Sequence, residues 1–437
     1  MKTIVRRIFP VLLALLFVLS GCAFGAGTET GTESEKEIEP VTTEPAVTEQ
    51  PETFPPETEP ETETEATEPP ETEPPLPPEP KRVSFLAAGD SIIHEGIYLE
   101  AAKMGRLNGE GRAYDFSHIF PEVKDEIAGA DIAFINQETL MAGEEYGYTG
   151  YPQFNSPRDL AVDLLNTGFD VVNLANNHMY DKGAAGLRAT LDYWHTLDCT
   201  VIGAYYDEAD YNSIRIVERD GVRIAFLSYF YGTNTHYKNT PRNVPGTDMI
   251  FPNLWEEDIR RQTAAAEELA DFTVVSVHWG EDSVQAVTDD QKHFAKLFAD
   301  CGVDVIVGHH PHLIQPVEWI EGKDGNRCLC AYSLGNLYSL MASSYNMVGG
   351  FLECDFVVGE EGARIENARF VPTLFYYKTS FFGQHLYFMK NITEQLCESH
   401  GTKNFGGKNA TAAELVSYTK KIIPEEFLLP DAFPEGY

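Results

Sequence analysis

Five short apolar runs in this chain each break off into a cluster of polar side chains, and amphipathic, helix-forming stretches stand between most of them. RVSFLAAGDS ends in Gly89-Asp90 with His94 just beyond, and DIAFINQET supplies Asn136 and Glu138. FDVVNLANNH ends in Asn177 and His178, DFTVVSVHWGED in His278 and Glu281, and VDVIVGHHPH runs into His309, His310 and His312. Apolar runs of this length, bounded by turn formers, read as buried strands. Strands alternating with helices call for an α/β architecture. In open α/β sheets ligands sit in the crevice beyond the carboxyl ends of the strands, so the five polar ends are expected to converge on one site.

The helices expected between the runs are PEVKDEIAGA, SPRDLAVDLLNTG, GAAGLRATLDYWHTL, WEEDIRRQTAAAEELA and TDDQKHFAKLFADCG. CTVIG reads as a short strand, and VERDGVRIAFLSY as a hairpin turned at Asp220-Gly221. Residues 313–371 read as antiparallel strands with a turn at Gly322–Asn326, giving the domain a β-rich second half. The folded domain is placed at residues 82–372, with 373–437 as a C-terminal extension. Its aromatic LFYYKTSFFGQHLYF is expected to pack over the sheet edge, a polymer-binding lip being the alternative.

The N-terminal segments read differently. In residues 1–22, Lys2, Arg6 and Arg7 precede an apolar run that ends in Leu19-Ser20-Gly21-Cys22, the layout of a secretory signal. That ending resembles the lipobox of bacterial lipoproteins, with Cys22 as the lipidated residue, an uncleaved anchor helix being the alternative. Either reading places the protein outside the cytoplasm, on the outer face of the bacterial cell membrane. Residues 23–81 form a Thr/Glu/Pro-rich linker. Within 28–80 there are 17 Glu, a lone Lys36 and 13 of the chain's 26 Pro, so this stretch cannot collapse into a core. Stiffened by proline and charge repulsion, it could reach at most on the order of 150 Å. Taking its −16 and the +3 of the signal from the whole chain's −36 leaves the rest near −23. No basic groove is present, which argues against nucleic-acid binding. The cysteines beyond Cys22 lie mostly in apolar runs, read as buried thiols with a disulfide as the alternative.

Mixed carboxylate, carboxamide and imidazole donors without thiolate suit Mn, Fe, Zn or Mg. His310 and His312 alternate along an extended segment and would point the same way. Two such ions about 3.5–4 Å apart would neutralise charge on a phosphoryl or carbonyl oxygen.

The ordered set GD(S), N-x-E, NLANNH-x-x-D-x-G, HWG-x-D, GHHPH and YSLGN, spread over residues 83–338, resembles the CapA family of poly-γ-glutamate capsule biosynthesis proteins. That family's domain is similar to the calcineurin-like metallophosphoesterase fold, a layered α/β sandwich. The resemblance implies a dinuclear centre of divalent metal held by Asp90, Asn177, His278, His310 and His312. It also implies that His178 is the acid that protonates a leaving group, a role its residue type suits. Asn136, His94, His309 and Asn336 are assigned to substrate. Two departures stand out: the first histidine after Asp90 is four residues on, and the usual bridging Asp is missing, leaving Glu138, with Asn136, as candidate. The implied function is synthesis, export or anchoring of a poly-γ-glutamate capsule or related surface polymer by a metal-dependent hydrolase-type site. The alternatives are a non-catalytic assembly factor working with capsule synthase subunits, and an extracytoplasmic phosphodiesterase or phosphatase.

Overall fold

A computed structural model describes residues 79–109 and 111–437. The signal stretch, Cys22 and nearly all of the linker lie outside the described residues. The first half builds β1 (Lys81–Ser91), α1 (Glu95–Asn108), α2 (Lys124–Gly129), β2 (Ile132–Gln137), α3 (Asp159–Thr167), β3 (Val171–Asn173), α4 (Gly183–Trp194) and β4 (Thr200–Ile202). The middle adds α5 (Glu208–Tyr211), β5 (Arg215–Arg219), β6 (Val222–Phe230), α6 (Glu256–Leu269), β7 (Phe272–His278), α7 (Asp289–Asp300) and β8 (Val305–His309). The rest comprises β9 (Val317–Glu321), β10 (Arg327–Ala331), β11 (Asn336–Tyr338), β12 (Val348–Gly359), β13 (Gly362–Tyr376), β14 (His385–Phe388), α8 (Glu394–Ser399) and α9 (Ala412–Ile422).

These strands form two sheets. The first runs β14-β13-β12-β1-β2-β3-β4 with β11 beside the end of β1, and the second β5-β6-β7-β8-β10-β9. Strands β1 to β4 are mutually parallel, as are β6, β7, β8 and β10, so their carboxyl ends share one rim in each sheet. The sheets meet through large apolar side chains, with Phe85 6.2 Å from Phe226 and Phe272 4.8 Å from Phe356, ring centre to ring centre. Alternation along β6 sends Ile224 and Phe226 into that interface. It sends Ala225, Leu227 and Tyr229 to the opposite face, into a second core with Ile259 and Ala266 of α6 and Phe298 of α7. Truncating Phe85 to Ala would cost about 3–5 kcal/mol, because both sheets lose a filler at once.

The layered α/β sandwich with a β-rich second half is as expected. So is the hairpin, whose Asp220 (φ 50°) and Gly221 (φ 71°) both take the left-handed conformation that a two-residue turn of this kind needs. Helix α7 starts on a reciprocal cap: the Thr288 hydroxyl accepts from the Gln291 amide, and the Gln291 side chain accepts from the Thr288 amide.

Two expectations need correction. Residues 313–371 are not purely antiparallel, since β10 pairs parallel with β8 and β11 parallel with β1. Both pairings close long loops, which local sequence does not encode. The boundary expected at 372/373 falls inside β13, which pairs with both β12 and β14, so the C-terminal segment continues the first sheet. Helix α1, which the sequence reading did not include, follows the first polar strand end directly, without a side-chain cap at His94 to announce it. The six cysteines beyond Cys22 are free thiols, with Cys328, Cys330, Cys354 and Cys397 buried.

Candidate metal centre

The glycines of the strand-end motifs explain how the ends come so close. A Cβ on Gly89 would lie 2.1 Å from the Gly335 carbonyl oxygen, and one on Gly308 2.1 Å from that of Tyr332. Only glycine lets the backbones pack there. Beyond Gly308 the chain turns through His310 (φ 98°) and His312 (φ 54°). For non-glycine residues this conformation carries strain, of a kind that concentrates at functional sites.

Asp90 is fully buried and heavily held. Its Oδ1 accepts from Asn136 Nδ2 at 2.8 Å, and its Oδ2 lies 3.0 Å from His312 Nδ1 and accepts from the His310 backbone amide at 3.3 Å. Asn136 is itself fixed by Asn173 Nδ2 at 2.8 Å, and Asn173 Oδ1 accepts from Ser228 Oγ at 2.6 Å. A buried polar chain thus runs from β6 in the second sheet to Asp90 in the first. His312 Nδ1 also lies 3.1 Å from Asn336 Oδ1, so two acceptors assign the hydrogen to Nδ1 and turn Nε2 toward Glu138 Oε1, 3.6 Å away. One ligand atom each from Asp90, Glu138 and His312 fall within 4.8 Å of one another.

A second group adjoins the first. His278 Nε2 is 3.0 Å from Asn177 Oδ1, the His278 and His310 rings are 4.8 Å apart, and Glu138 Oε1 lies 4.0 Å from His278 Nε2. Glu138 therefore stands between the two groups, where the missing aspartate was expected. Both Glu138 oxygens, His278 Nδ1 and His310 Nδ1 are buried without a hydrogen-bond partner. Polar atoms so placed ordinarily find one. A set of acceptor atoms left open among two carboxylates, a carboxamide and three imidazoles fits divalent cations.

Electrostatics follow from burial. Burial pushes the Glu138 carboxyl well above its usual range, with Asp90 nearby adding to the effect. Burial would also raise Asp90, but His309 and His312 hold it well below the carboxylate range. For His312, burial alone would lower the pKa, yet Glu138 and the bond to Asp90 push it up to about 9. Burial and neighbouring imidazoles drive His278 well down and His310 to about 3, so both are neutral and available as donors of a lone pair.

His178 stands beside this centre without joining it. Its Nδ1 lies 2.7 Å from Asp181 Oδ2, which also accepts from the Phe154 amide at 2.7 Å, and the Phe154 ring stacks edge-on at 4.7 Å. Asn177 Nδ2 donates to Asn234 Oδ1 at 3.0 Å, and Asn234 Nδ2 reaches the His178 ring. These contacts fix the imidazole, with Asn234 Nδ2 3.2 Å from its Nδ1 and 3.4 Å from its Nε2.

Of the residues expected at the site, Asp90, Glu138, Asn177, His278, His310 and His312 come together. Of the four assigned to substrate, Asn136, His309 and Asn336 are buried and His94 is half-buried. Asn136 and Asn336 are wholly buried and orient Asp90 and His312. The His309 side chain is fully buried, 5.8 Å from the Phe134 ring with Nδ1 3.3 Å from Asp90, so it backs the centre instead of facing substrate. His94 accepts from the Leu340 amide at 3.2 Å and packs edge-on against Phe154; burial lowers it to about 4. Asn173, Ser228 and Asn234 were not anticipated; only Asn173, within NLANNH, lay in a motif.

The chain is 31% identical over 235 residues to the capsule biosynthesis protein CapA of Bacillus anthracis, covering 53% of this chain and 54% of that one. It is 34% identical over 177 residues to the PGA biosynthesis protein CapA of Bacillus subtilis strain 168, covering 40% and 43%. The match thus spans about half the length of these relatives. Among solved structures, the calcineurin-like phosphoesterase YfkN of Bacillus subtilis is a distant likeness, with a TM-score of 0.37 at 12% identity over 79% of this chain and 97% of that one. Residues 84–341 match the family described as bacterial capsule synthesis protein PGA_cap, the stretch that carries every strand end of the centre, and the chain belongs to that family.

Proposed function

We propose that this protein works in making, exporting or anchoring a poly-γ-glutamate capsule or related anionic surface polymer, through a dinuclear divalent-metal site of hydrolase type. The observation that carries the reading is Glu138: a buried carboxylate without a hydrogen-bond partner, within 4.0 Å of imidazoles from both ligand groups. Asp90, Glu138 and His312 would hold one ion, and Asn177, His278 and His310 the other, with Glu138 between them. Ions bound there would supply Lewis-acid polarisation of a phosphoryl or carbonyl oxygen and offset the charge that develops on it. His178, fixed by Asp181, would protonate the leaving group through Nε2 once Asn234 Nδ2, 3.4 Å away, gives way to substrate, while Asn136, Asn173 and Asn336 keep the ligands in place. The relatives' names, both tied to capsule or PGA biosynthesis, support the polymer as partner. Attachment through Cys22 to the outer face of the membrane would carry the domain to that polymer on its acidic linker.

Replacing the chromosomal copy with Glu138→Ala tests this reading. Surface polymer should fall to the level of a deletion strain while the protein accumulates normally. Undiminished polymer in the Glu138→Ala strain would overturn it.

A further inference from the structure

Next to the second ligand group lies a cavity of about 230 Å³ that none of the proposed metal ligands lines. Its walls are aromatic, from Tyr231, Tyr237, Trp255, Trp279 and Phe294. Tyr231 joins it to the metal centre, its ring 4.7 Å from that of His310 and 6.1 Å from that of His278. The walls are built in place before any ligand arrives. Trp279 Nε1 donates to the Tyr332 carbonyl at 2.8 Å, and the Tyr231 amide donates to the His278 carbonyl at 3.0 Å. Gly232 (φ 138°) allows the loop to double back, since a Cβ there would meet the Tyr237 carbonyl oxygen at 2.1 Å. Tyr237 itself, half exposed at the mouth, is held in the left-handed conformation at φ 49°, strain that the loop maintains to present the ring.

The polar groups at the cavity narrow the ligand. Glu281 and Asp290 offer acceptors only, Asn253 and Thr288 offer both kinds, and the single cation, Lys238, is already paired with Asp290 at 3.1 Å. A carboxylate-rich ligand would meet like charge here, whereas a ligand dense in hydroxyl donors with an apolar ring face would satisfy both walls and rim. Tyr231 and Tyr237 stand at 69° to each other, so these two rings do not form the parallel pair that would sandwich a flat heterocycle.

We infer that this cavity is a subsite for an uncharged sugar ring, presented beside the bond that the metal centre acts on. The inference rests on the reading of that centre as catalytic, with the related sugar-bearing surface polymer and not poly-γ-glutamate as what it acts on, but sugar binding itself requires no metal. The test is ligand-observed NMR with the full chain, treated with chelator and then with Mn added, using N,N′-diacetylchitobiose, adenosine and γ-glutamyl-glutamate as probes. The disaccharide should bind in both states. Trp255→Ala and Tyr237→Asn should each weaken it about tenfold, the asparagine being tolerant of the left-handed backbone. Neither change touches a proposed ligand, so metal uptake should be unaffected. No saturable disaccharide binding, binding that both variants leave intact, or preference for adenosine or the glutamyl dipeptide would overturn the subsite. A chain that binds the disaccharide but takes up no metal would instead contradict the proposed metal site and leave the subsite standing.

Discussion

His178 and Asn177 are neighbours in the chain for which we propose different tasks, and that difference is open to measurement. The imidazole of His178 is tied at Nδ1 to Asp181 and occupies no position among the ligands, whereas Asn177 Oδ1 faces His278 Nε2 at 3.0 Å. His178→Ala should lower turnover of the polymer or of a chromogenic phosphodiester by roughly 10²–10⁴-fold, the usual worth of a general acid. Its metal content and Tm should stay near the parent's. Asn177→Ala should instead reduce bound metal. A His178→Ala protein that loses metal and stability together would make the histidine a ligand or a structural residue. The place of both residues at one polar site was legible in the sequence, because a buried strand that ends in Asn-Asn-His has no packing reason to do so. The roles of Asn136, His309 and Asn336 were not, since a polar residue at a strand end can face substrate or turn back into the core. Only the three-dimensional neighbours, Asn173, Phe134 and His312, decide which.

At the scale of elements, the parallel strands were readable as apolar runs, and the helices between them as amphipathic stretches. What sequence left open were pairings across long loops: β11 beside β1, β10 beside β8, and β13 running through the expected domain boundary. One interior junction, between β7 and β8, carries a titratable group. Asp304, between α7 and β8, accepts from the Thr273 amide of β7 at 2.8 Å, and its own amide donates to the Thr273 carbonyl at 3.0 Å. Burial pushes its carboxyl up to about 7 from an ordinary 3.8, with Glu267 adding and the Thr273 amide opposing. The folded protein therefore holds a proton that the unfolded chain gives up near pH 4. Stability at this site is greatest below that pH, falls as pH rises toward 7, and is constant above. Asp304→Asn keeps an acceptor for Thr273 and cannot ionise. It should flatten this part of the pH dependence and raise stability at pH 8 by on the order of 2 kcal/mol, measured by denaturant unfolding across pH 4–8. An unchanged profile would show that the carboxyl ionises normally in the fold.

For the whole molecule, composition separates residues 28–80 from the folded domain. A net charge of −36, of which the linker carries −16, keeps the chain apart from other polyanions except where cations gather. The metal centre is the place where cations would gather. If Cys22 is the lipid attachment point, Cys22→Ala should release the protein into the medium or leave an unprocessed precursor in cell fractionation. Unchanged membrane association with normal processing would remove the lipoprotein reading. Strand ends from both sheets are proposed to form one metal centre with Glu138 at its middle, and metal analysis of the intact purified protein decides whether they do. The parent should carry about two divalent ions per chain, and Glu138→Gln, matched in shape but uncharged, should lose most of them while remaining folded. A parent that binds no divalent metal, or a Glu138→Gln protein that retains the parent's full content, would contradict the account.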